Sequence, residues 1–161
     1  MATSAQRVLF RCTGNSCRSQ MAEALLRHVA PDRFEALSAG SRPAGFVHPL
    51  AIEALRRRGV RIDSDAESKS WDVFVDRRID LVITLCDEAA QEECPVWPGD
   101  PLTVHWSLPD PSFHHGSDEE RIEFAVRVAD RLRLKIEGLT RLDFSASRDE
   151  MVRQLAFLGE I

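Results

Sequence analysis

An apolar run at residues 8–10 is followed by a cysteine, five further residues, an arginine and a serine, and then by a segment with helical periodicity. This order predicts a buried strand ending near Cys12 and a tight loop that leads directly into a helix. Gly14 would let the backbone of such a loop turn sharply and approach a ligand closely. Successive N–H groups of the loop, with the N-terminus of the helix, form a concave site for an anion. The spacing therefore predicts a strand–loop–helix unit built around an anion-binding loop.

Cys12 and Arg18 carry the chemistry expected of this loop. The Arg18 guanidinium is a forked, permanently charged donor suited to the face of a tetrahedral oxyanion. The same positive field lowers the pKa of a thiol, so we expect Cys12 to be a nucleophilic thiolate at neutral pH. Ser19 could donate a hydrogen bond to that sulfur, and Asn15 is expected to fix the shape of the loop. The residues expected to bind the oxyanion are Thr13, Gly14, Asn15, Ser16, Cys17 and Arg18.

Two other interpretations of this loop explain less of the sequence. A buried structural cysteine beside a helix cap is common, but it does not account for glycine, asparagine, arginine and serine occurring together at these distances. A nucleotide-binding phosphate loop is disfavoured, because the sequence lacks a Gly-Lys-Ser/Thr ending and carries a cysteine at the position of the nucleophile. The loop is therefore interpreted as a site in which a thiolate attacks a bound oxyanion.

The charge and cysteine content of the 161-residue chain narrow the classes of function. Its net charge of −5 argues against a general nucleic-acid binder and against binding to anionic membranes. The N-terminal residues contain no signal-like apolar segment and no apolar run approaches a membrane span, so we expect a cytoplasmic protein. Four cysteines in such a protein favour catalytic or redox chemistry over a disulfide framework. Their spacing lacks the paired CxxC of a zinc site, so no metal is expected.

The periodicity of the whole chain predicts an α/β fold. Strands are predicted at residues 7–12, 34–38, 80–86 and 102–106. Helices are predicted at residues 19–29, 49–58, 117–136 and 147–158, with a short helix capped by Ser70. Ser117 and Glu120 form a capping-box pattern at the start of the longest helix. This order predicts a single domain over residues 1–161, a three-layer sandwich with a four-stranded, mostly parallel sheet.

Cys86 and Cys94 indicate a second reactive site. Cys86 ends the third predicted strand, where ligands gather in open α/β sheets, and Cys94 follows in a segment rich in glutamate and proline. A hydrolase needs one thiolate and one acid, whereas reduction of an oxyanion needs further thiols to remove two electrons. Two buried structural cysteines are the alternative. A regular helix between the two cysteines would span about 12 Å, so a disulfide between them requires this segment to unwind.

The sequence CTGNSCRSQMAEALLR, which begins at Cys12, resembles the signature of the low-molecular-weight tyrosine phosphatase superfamily, and most closely its arsenate reductase branch. The segment LCDEAAQEECPVWPG resembles the redox segment of those reductases. Asp110, between two prolines, resembles the general acid of the family, and residues 38–40 resemble the loop beside its anion site, which makes Ser38 a supporting candidate. Phosphatases of this family usually carry an aromatic residue after the Asp-Pro; here Ser112 follows, and Phe113 could partly substitute.

This resemblance implies a low-molecular-weight phosphatase-like fold and reduction of arsenate to arsenite. Cys12 would attack arsenate while Asp110 protonates the leaving oxygen. Cys86 would then attack Cys12, and Cys94 would form a second disulfide with Cys86. The resemblance implies no tightly bound cofactor but an external reductant, either thioredoxin or a glutathione- or mycothiol-type thiol, with phosphate or sulfate as substrate mimics. The alternative is a protein tyrosine phosphatase whose additional cysteines regulate its nucleophile.

Overall fold

Four parallel strands form the centre of the protein, in a computed structural model that describes residues 5–92 and 95–161. The strands are β1 (Gln6–Arg11), β2 (Phe34–Ala39), β3 (Leu81–Thr84) and β4 (Leu102–His105). Their order in the sheet is β2-β1-β3-β4, and every neighbouring pair is parallel. Because β1 lies beside β3, the loops that leave the carboxyl ends of these two strands are neighbours.

Helices connect and cover the strands. They are α1 (Arg18–Val29), α2 (Pro49–Arg57), α3 (Asp87–Gln91), α4 (Asp118–Thr140) and α5 (Arg148–Glu160), with two 3₁₀ turns at Trp71–Phe74 and Pro111–Phe113. Serine side chains cap the N-termini of three of these elements. Ser70 caps the first 3₁₀ turn, Ser147 caps α5, and Ser117 forms a complete capping box with Glu120 at the start of α4.

The sheet separates two hydrophobic clusters, because alternate residues of a strand face opposite sides. Val8 and Phe10 of β1 pack into the larger cluster with α1, α2, α4 and α5. Leu9, between them, faces a smaller cluster that includes Phe74 and Trp97. One face of the sheet is therefore covered by helices and the other by a thinner layer, which gives the three-layer arrangement.

Buried polar contacts fasten α5 to the rest of the fold. The indole N–H of Trp106, which follows β4, donates to the carbonyl oxygen of Leu155 at 2.9 Å. The ammonium group of Lys135, on α4, is buried and donates to three carbonyl oxygens at the end of α5, those of Leu158, Gly159 and Ile161. Burial lowers the pKa of Lys135, and the three hydrogen bonds that it donates satisfy carbonyl groups at the C-terminal end of α5.

The predicted four-stranded α/β architecture is confirmed, and the sheet is wholly parallel. The bounds differ by a few residues. The third strand ends at Thr84 rather than at residue 86, because Cys86 caps α3, and α4 continues to Thr140. Within residues 5–92 and 95–161, no helix is long and apolar enough to cross a membrane.

Candidate active site

The loop at residues 12–17, which we call the anion loop, connects β1 to α1 and lines a cavity of about 310 Å³. Cys12 is buried at its start, directly after β1. The rest of the wall comes from the segments that follow β2, β3 and β4. The side chains that line the cavity outside the anion loop include Arg18, Phe46, His48, Cys86, Asp110 and Phe113. The fold thus brings Cys12, Arg18, Cys86 and Asp110 together.

Asn15 holds the anion loop in shape, as the sequence predicts. Its backbone is in the left-handed region, with φ of 44°, and its side chain is buried. The side-chain amide donates to the Ser19 hydroxyl at 2.8 Å. Its carbonyl oxygen accepts from the backbone N–H of Lys69 at 2.8 Å and from the Gln20 side chain at 3.1 Å. One side chain therefore joins the loop to α1 and to the segment before the first 3₁₀ turn.

The closest approach of backbone to a glycine at the anion loop occurs at Gly40, directly after β2. A Cβ on Gly14 would meet only the Ala44 side chain, at 4.0 Å. A Cβ on Gly40 would lie 2.6 Å from the carbonyl oxygen of Cys12 and closer still to that of Thr13. The tight fit at Gly40 arises because β2 ends against the anion loop, and the close approach of a ligand to Gly14 stays a prediction. The segment containing Ser38 does lie beside the site, and the N–H of Cys12 donates to the Ala39 carbonyl at 3.3 Å.

Arg18 begins α1 and faces Asp110 across the cavity. Its Nη2 lies 3.3 Å from the Asp110 carboxylate, and its Nη1 donates to the Leu108 carbonyl at 2.6 Å. Asp110 caps the second 3₁₀ turn, accepting from the N–H and hydroxyl of Ser112 at 2.9 and 2.7 Å. Phe113 is 79% exposed at the edge of the cavity. The Asp110 carboxyl group is thus fixed within reach of a group bound at Arg18.

Two buried donors at the site are available to an oxyanion. Among the residues that the structure describes, the Arg18 Nε and the Ser16 hydroxyl have no hydrogen-bond partner. Buried polar groups are almost always satisfied, so orphaned donors beside an arginine indicate a site for an acceptor. A tetrahedral oxyanion supplies such acceptors, and the loop N–H groups and the α1 N-terminus favour its negative charge.

Cys12 and Cys86 are in contact, and the hydrogen bond between them shifts their pKa values in opposite directions. Their side chains pack with Ala89. The hydrogen bond from Cys12 lowers the pKa of Cys86 to about 5, against the opposing effect of burial, with help from the N–H groups of Ala89 and Thr13. The hydrogen bond to Cys86 raises the pKa of Cys12, burial adds to this, and Arg18 opposes it. Cys86 is therefore the thiolate of the pair.

This charge distribution corrects the prediction of a depressed pKa for Cys12, which considered the anion loop alone. No hydrogen bond from Ser19 to Cys12 is present in the described part of the chain; the Ser19 hydroxyl accepts from Asn15, which leaves its own proton available to an acceptor. Cys17 caps α1 and packs in the larger hydrophobic cluster, and burial raises its pKa to about 12. Its thiol is thus a core group, although its backbone belongs to the loop.

The sequence did not reveal two sets of contacts that hold α3 in place. The Asp87 carboxylate lies 2.9 Å from both the His105 Nε2 and the Ser107 hydroxyl, and the His105 Nδ1 lies 2.7 Å from the Thr84 hydroxyl. At the other end, the Thr13 hydroxyl lies between Cys86 and the carboxylate of Glu92. These contacts join segments that are distant in the chain, so spacing in the sequence could not predict them. The one available hint was that Asp87 directly follows Cys86.

Cys94, the third predicted redox cysteine, lies outside the described residues. α3 ends at Gln91, and Glu92 has an extended backbone, with φ of −76° and ψ of 141°. Of the described residues 87–92, the first five are therefore helical. Within the described ranges, no cluster of three or more His, Cys, Asp or Glu side chains could hold a metal ion.

Comparisons with known proteins agree over most of the chain. The family model of the low molecular weight phosphotyrosine protein phosphatases matches residues 7–149. An arsenate reductase from Halalkalibacterium halodurans is 39% identical over 130 residues, 81% of this chain and 91% of the relative. A solved arsenate reductase in the phosphate binding state gives a TM-score of 0.69 at 30% identity, covering 83% of this chain and 95% of that one. The structure of a thioredoxin-dependent arsenate reductase from Corynebacterium glutamicum gives a TM-score of 0.60 at 38% sequence identity. This match covers 88% of this chain and 66% of that one.

Proposed function

Because this chain belongs to the low molecular weight phosphotyrosine protein phosphatase family, we propose that it reduces arsenate to arsenite through a cysteine nucleophile and an intramolecular disulfide relay. Relatives at 39% identity over most of the chain are arsenate reductases, which supports this reaction. The observation that carries the proposal is the contact between Cys12 and Cys86 at the floor of the anion loop. Hydrolysis of a phosphoester needs only the first of these thiols.

The first step is attack of Cys12 on bound arsenate. Arg18, the Ser16 hydroxyl and the loop N–H groups hold the oxyanion, as the unpartnered donors of the site favour. Cys12 gives its proton to the Cys86 thiolate as its sulfur bonds to arsenic. Asp110 protonates the oxygen that leaves as water. The solved relative in a phosphate binding state supports a tetrahedral oxyanion as the ligand.

The second step forms a disulfide and releases arsenite. Cys86 first releases to solvent the proton that it took from Cys12, as its lowered pKa favours. Its thiolate then attacks the Cys12 sulfur, and the sulfur–arsenic bond breaks with its electron pair remaining on arsenic. Arsenic(V) thereby becomes arsenic(III), and the two sulfurs together lose the two electrons that arsenic gains. The lowered pKa of Cys86 favours the thiolate required for this attack.

The last steps return the enzyme to its reduced form. Cys94 attacks the Cys86 sulfur, which frees Cys12 and leaves a Cys86–Cys94 disulfide. An external dithiol or low-molecular-weight thiol then reduces that bond. The thioredoxin-dependent relative at 38% identity supports thioredoxin as the donor, ahead of a glutathione- or mycothiol-type thiol.

Single-turnover measurements on two variants test the relay. Cys86→Ser is expected to release no arsenite, because the adduct on Cys12 has no second thiol to attack it. Cys94→Ser is expected to release one equivalent of arsenite and then stop with a Cys12–Cys86 disulfide, detectable by mass mapping. Multiple turnovers by both variants would exclude the relay. Turnover of an aryl phosphate far faster than arsenate, without thiol oxidation, would instead identify a tyrosine phosphatase.

A further inference from the structure

His105 makes hydrogen bonds to residues on both sides of Cys86. Its Nδ1 lies 2.7 Å from the hydroxyl of Thr84, the last residue of β3. Its Nε2 lies 2.9 Å from the carboxylate of Asp87, the first residue of α3. Thr84 is buried and is also the strand partner of His105, so one end of the ring is anchored in the sheet. The ring therefore spans the turn that carries Cys86 from β3 into α3.

The contact with Asp87 requires a proton on the Nε2 of His105. The bond lowers the pKa of the Asp87 carboxyl group, which is therefore ionised at neutral pH and can only accept. In a neutral ring, the Nδ1 then accepts from the Thr84 hydroxyl. In a doubly protonated ring, it donates to the Thr84 carbonyl oxygen, 3.1 Å away. Because Nε2 carries its proton in both states, the contact does not depend on the charge of the ring.

Helix α3 depends on outside contacts to fix its first turn. It has five residues, of which only Ala89 is buried, and a helix this short is not stable by itself in water. Its first turn nevertheless carries the N–H of Ala89, which donates to the Cys86 sulfur at 3.3 Å and lowers the pKa of that thiol. The direction of this N–H therefore depends on the contacts that hold the start of α3.

We propose that His105 is a positioning residue for Cys86, which ties the end of β3 to the start of α3 and keeps the Ala89 N–H directed at the Cys86 sulfur. It acts through Asp87 rather than by touching the reacting sulfurs. Loss of the tie weakens a bond that stabilises the Cys86 thiolate, so less thiolate is available at neutral pH. This inference rests on the proposed relay, in which Cys86 is the second thiol.

Two substitutions of His105 separate the two ends of the ring. A glutamine side chain is long enough to place an N–H near the position of Nε2, so His105→Gln keeps a donor for Asp87. An asparagine side chain reaches only the position of Nδ1, so His105→Asn keeps a partner for Thr84 and loses the donor to Asp87. Both variants remove the imidazole and any charge that it carries. A difference between them therefore reports the tie to Asp87.

The pKa of Cys86 is the first readout. It is taken from the ultraviolet absorbance of the thiolate, in a full-length background whose other three cysteines are replaced by serine. We expect the pKa to be higher in His105→Asn than in His105→Gln by roughly 0.5 to 1 unit, the size expected for about one hydrogen bond. Equal pKa values, or a lower value in His105→Asn, would overturn the proposal.

The amide resonance of Ala89 is the second readout, because it reports the bond to the sulfur directly. As Cys86 is titrated, the change in the chemical shift of the Ala89 amide proton is expected to be smaller in His105→Asn than in His105→Gln. Equal changes would show that His105 does not direct this N–H and would overturn the proposal.

Other groups also act on Cys86, and they are the same in the two variants. The charged side chains that line the cavity beside it are Arg18, Glu88 and Asp110, and Thr13 donates to it through its N–H and its hydroxyl. In an Asp87→Ala background, the two His105 variants are expected to have equal Cys86 pKa values. A difference that persists there would mean that His105 does not act through Asp87, which would overturn the proposal.

A further comparison covers the case in which a His105 variant does not fold. Asp87 is exposed, so its substitutions are expected to be tolerated. Asp87→Asn and Asp87→Ala remove the same charge, but only asparagine keeps an acceptor oxygen for the His105 Nε2–H. The pair is made with Ser107→Ala, because the Ser107 hydroxyl donates to the same Asp87 oxygen.

In this comparison, the pKa of Cys86 is expected to be higher in Asp87→Ala than in Asp87→Asn. Equal values, or the reverse order, would overturn the proposal. None of these measurements needs arsenate, so the result is independent of whether the proposed reduction occurs.

Discussion

Replacement of Asn15 tests how the anion loop is held. Asn15→Ala removes three hydrogen bonds of the buried side chain, to Ser19, Gln20 and Lys69. At about 1 kcal/mol each, their loss lowers the free energy of unfolding by about 3 kcal/mol. The left-handed backbone, with φ of 44°, adds roughly 1 kcal/mol for alanine. We therefore expect a total loss of about 4 kcal/mol, a large part of the stability of a domain of this size.

Asn15→Gly separates the two contributions. Glycine loses the same three hydrogen bonds but adopts the left-handed conformation without strain. Its extra entropy cost on folding, about 0.5–1 kcal/mol, is smaller than the 1–2 kcal/mol that the conformation costs alanine. Asn15→Gly is thus expected to be the more stable variant by roughly 0.5–1 kcal/mol.

Urea unfolding of the two variants and the wild type measures these differences, provided that the slope of free energy against urea is unchanged. Binding of inorganic phosphate, measured by calorimetry, reports whether the loop keeps its shape, and both variants are expected to bind it more weakly. A loss below about 1 kcal/mol in Asn15→Ala, or an alanine variant more stable than the glycine variant, would refute this account of the loop.

Four further predictions follow from the site and the core. Gly40→Ala is expected to abolish phosphate binding because its Cβ would clash with the anion loop, whereas Gly14→Ala should fold and bind phosphate. Equal phosphate affinities of the two variants in calorimetry would contradict this. The pKa of Cys86 is lowered to about 5, so the alkylation rate of its thiol should stay constant as the pH is lowered from neutral and fall only as the pH passes through about 5. A rate that already falls as the pH is lowered through about 8.5, the ordinary pKa of a thiol, would contradict this. Asp87→Ala should leave the urea midpoint almost unchanged, because the carboxylate is exposed, but should accelerate amide exchange in α3. Unchanged exchange would show that the contacts of Asp87 do not hold that helix. Lys135→Met leaves three carbonyl groups without their donor and is expected to destabilise the protein by roughly 2–4 kcal/mol in the same assay, and an unchanged midpoint would contradict that role.

The sheet, the long helices and the anion loop could be predicted because their signals are local. The Cys12 motif is contiguous, and the capping box at α4 spans only four residues, so each contains its own physical reason. Asp110 was identified because its Asp-Pro pair resembles the general-acid loop of the family, and the structure places it opposite Arg18. These features depend on near neighbours in the chain.

The rest of the site depends on contacts between distant segments. The steric constraint at Gly40 comes from the packing of the end of β2 against the anion loop, so the loop motif alone gave no signal for it. The pKa of Cys12 was predicted to be lowered, from the loop and helix alone. The hydrogen bond with Cys86, at the end of β3, raises it instead. No spacing in the sequence carries the hydrogen bond from Thr13 to Glu92, which lies 79 residues further along the chain.

Because β1 and β3 are adjacent, the first disulfide of the proposed relay requires little movement of the backbone. Neighbouring strands lie about 4.8 Å apart, and the N–H of Leu85 still bonds to the Arg11 carbonyl at 2.9 Å just before the two thiols. Such a spacing lies within the range of Cα distances that a disulfide accepts, about 4.4–6.8 Å. The first disulfide of the proposed relay can thus close on a nearly unmoved backbone, and the redox segment needs to rearrange only for the second. Arsenite would therefore leave before any large motion begins, and a protein stalled halfway through its cycle would carry an oxidised sulfur pair but no bound arsenic.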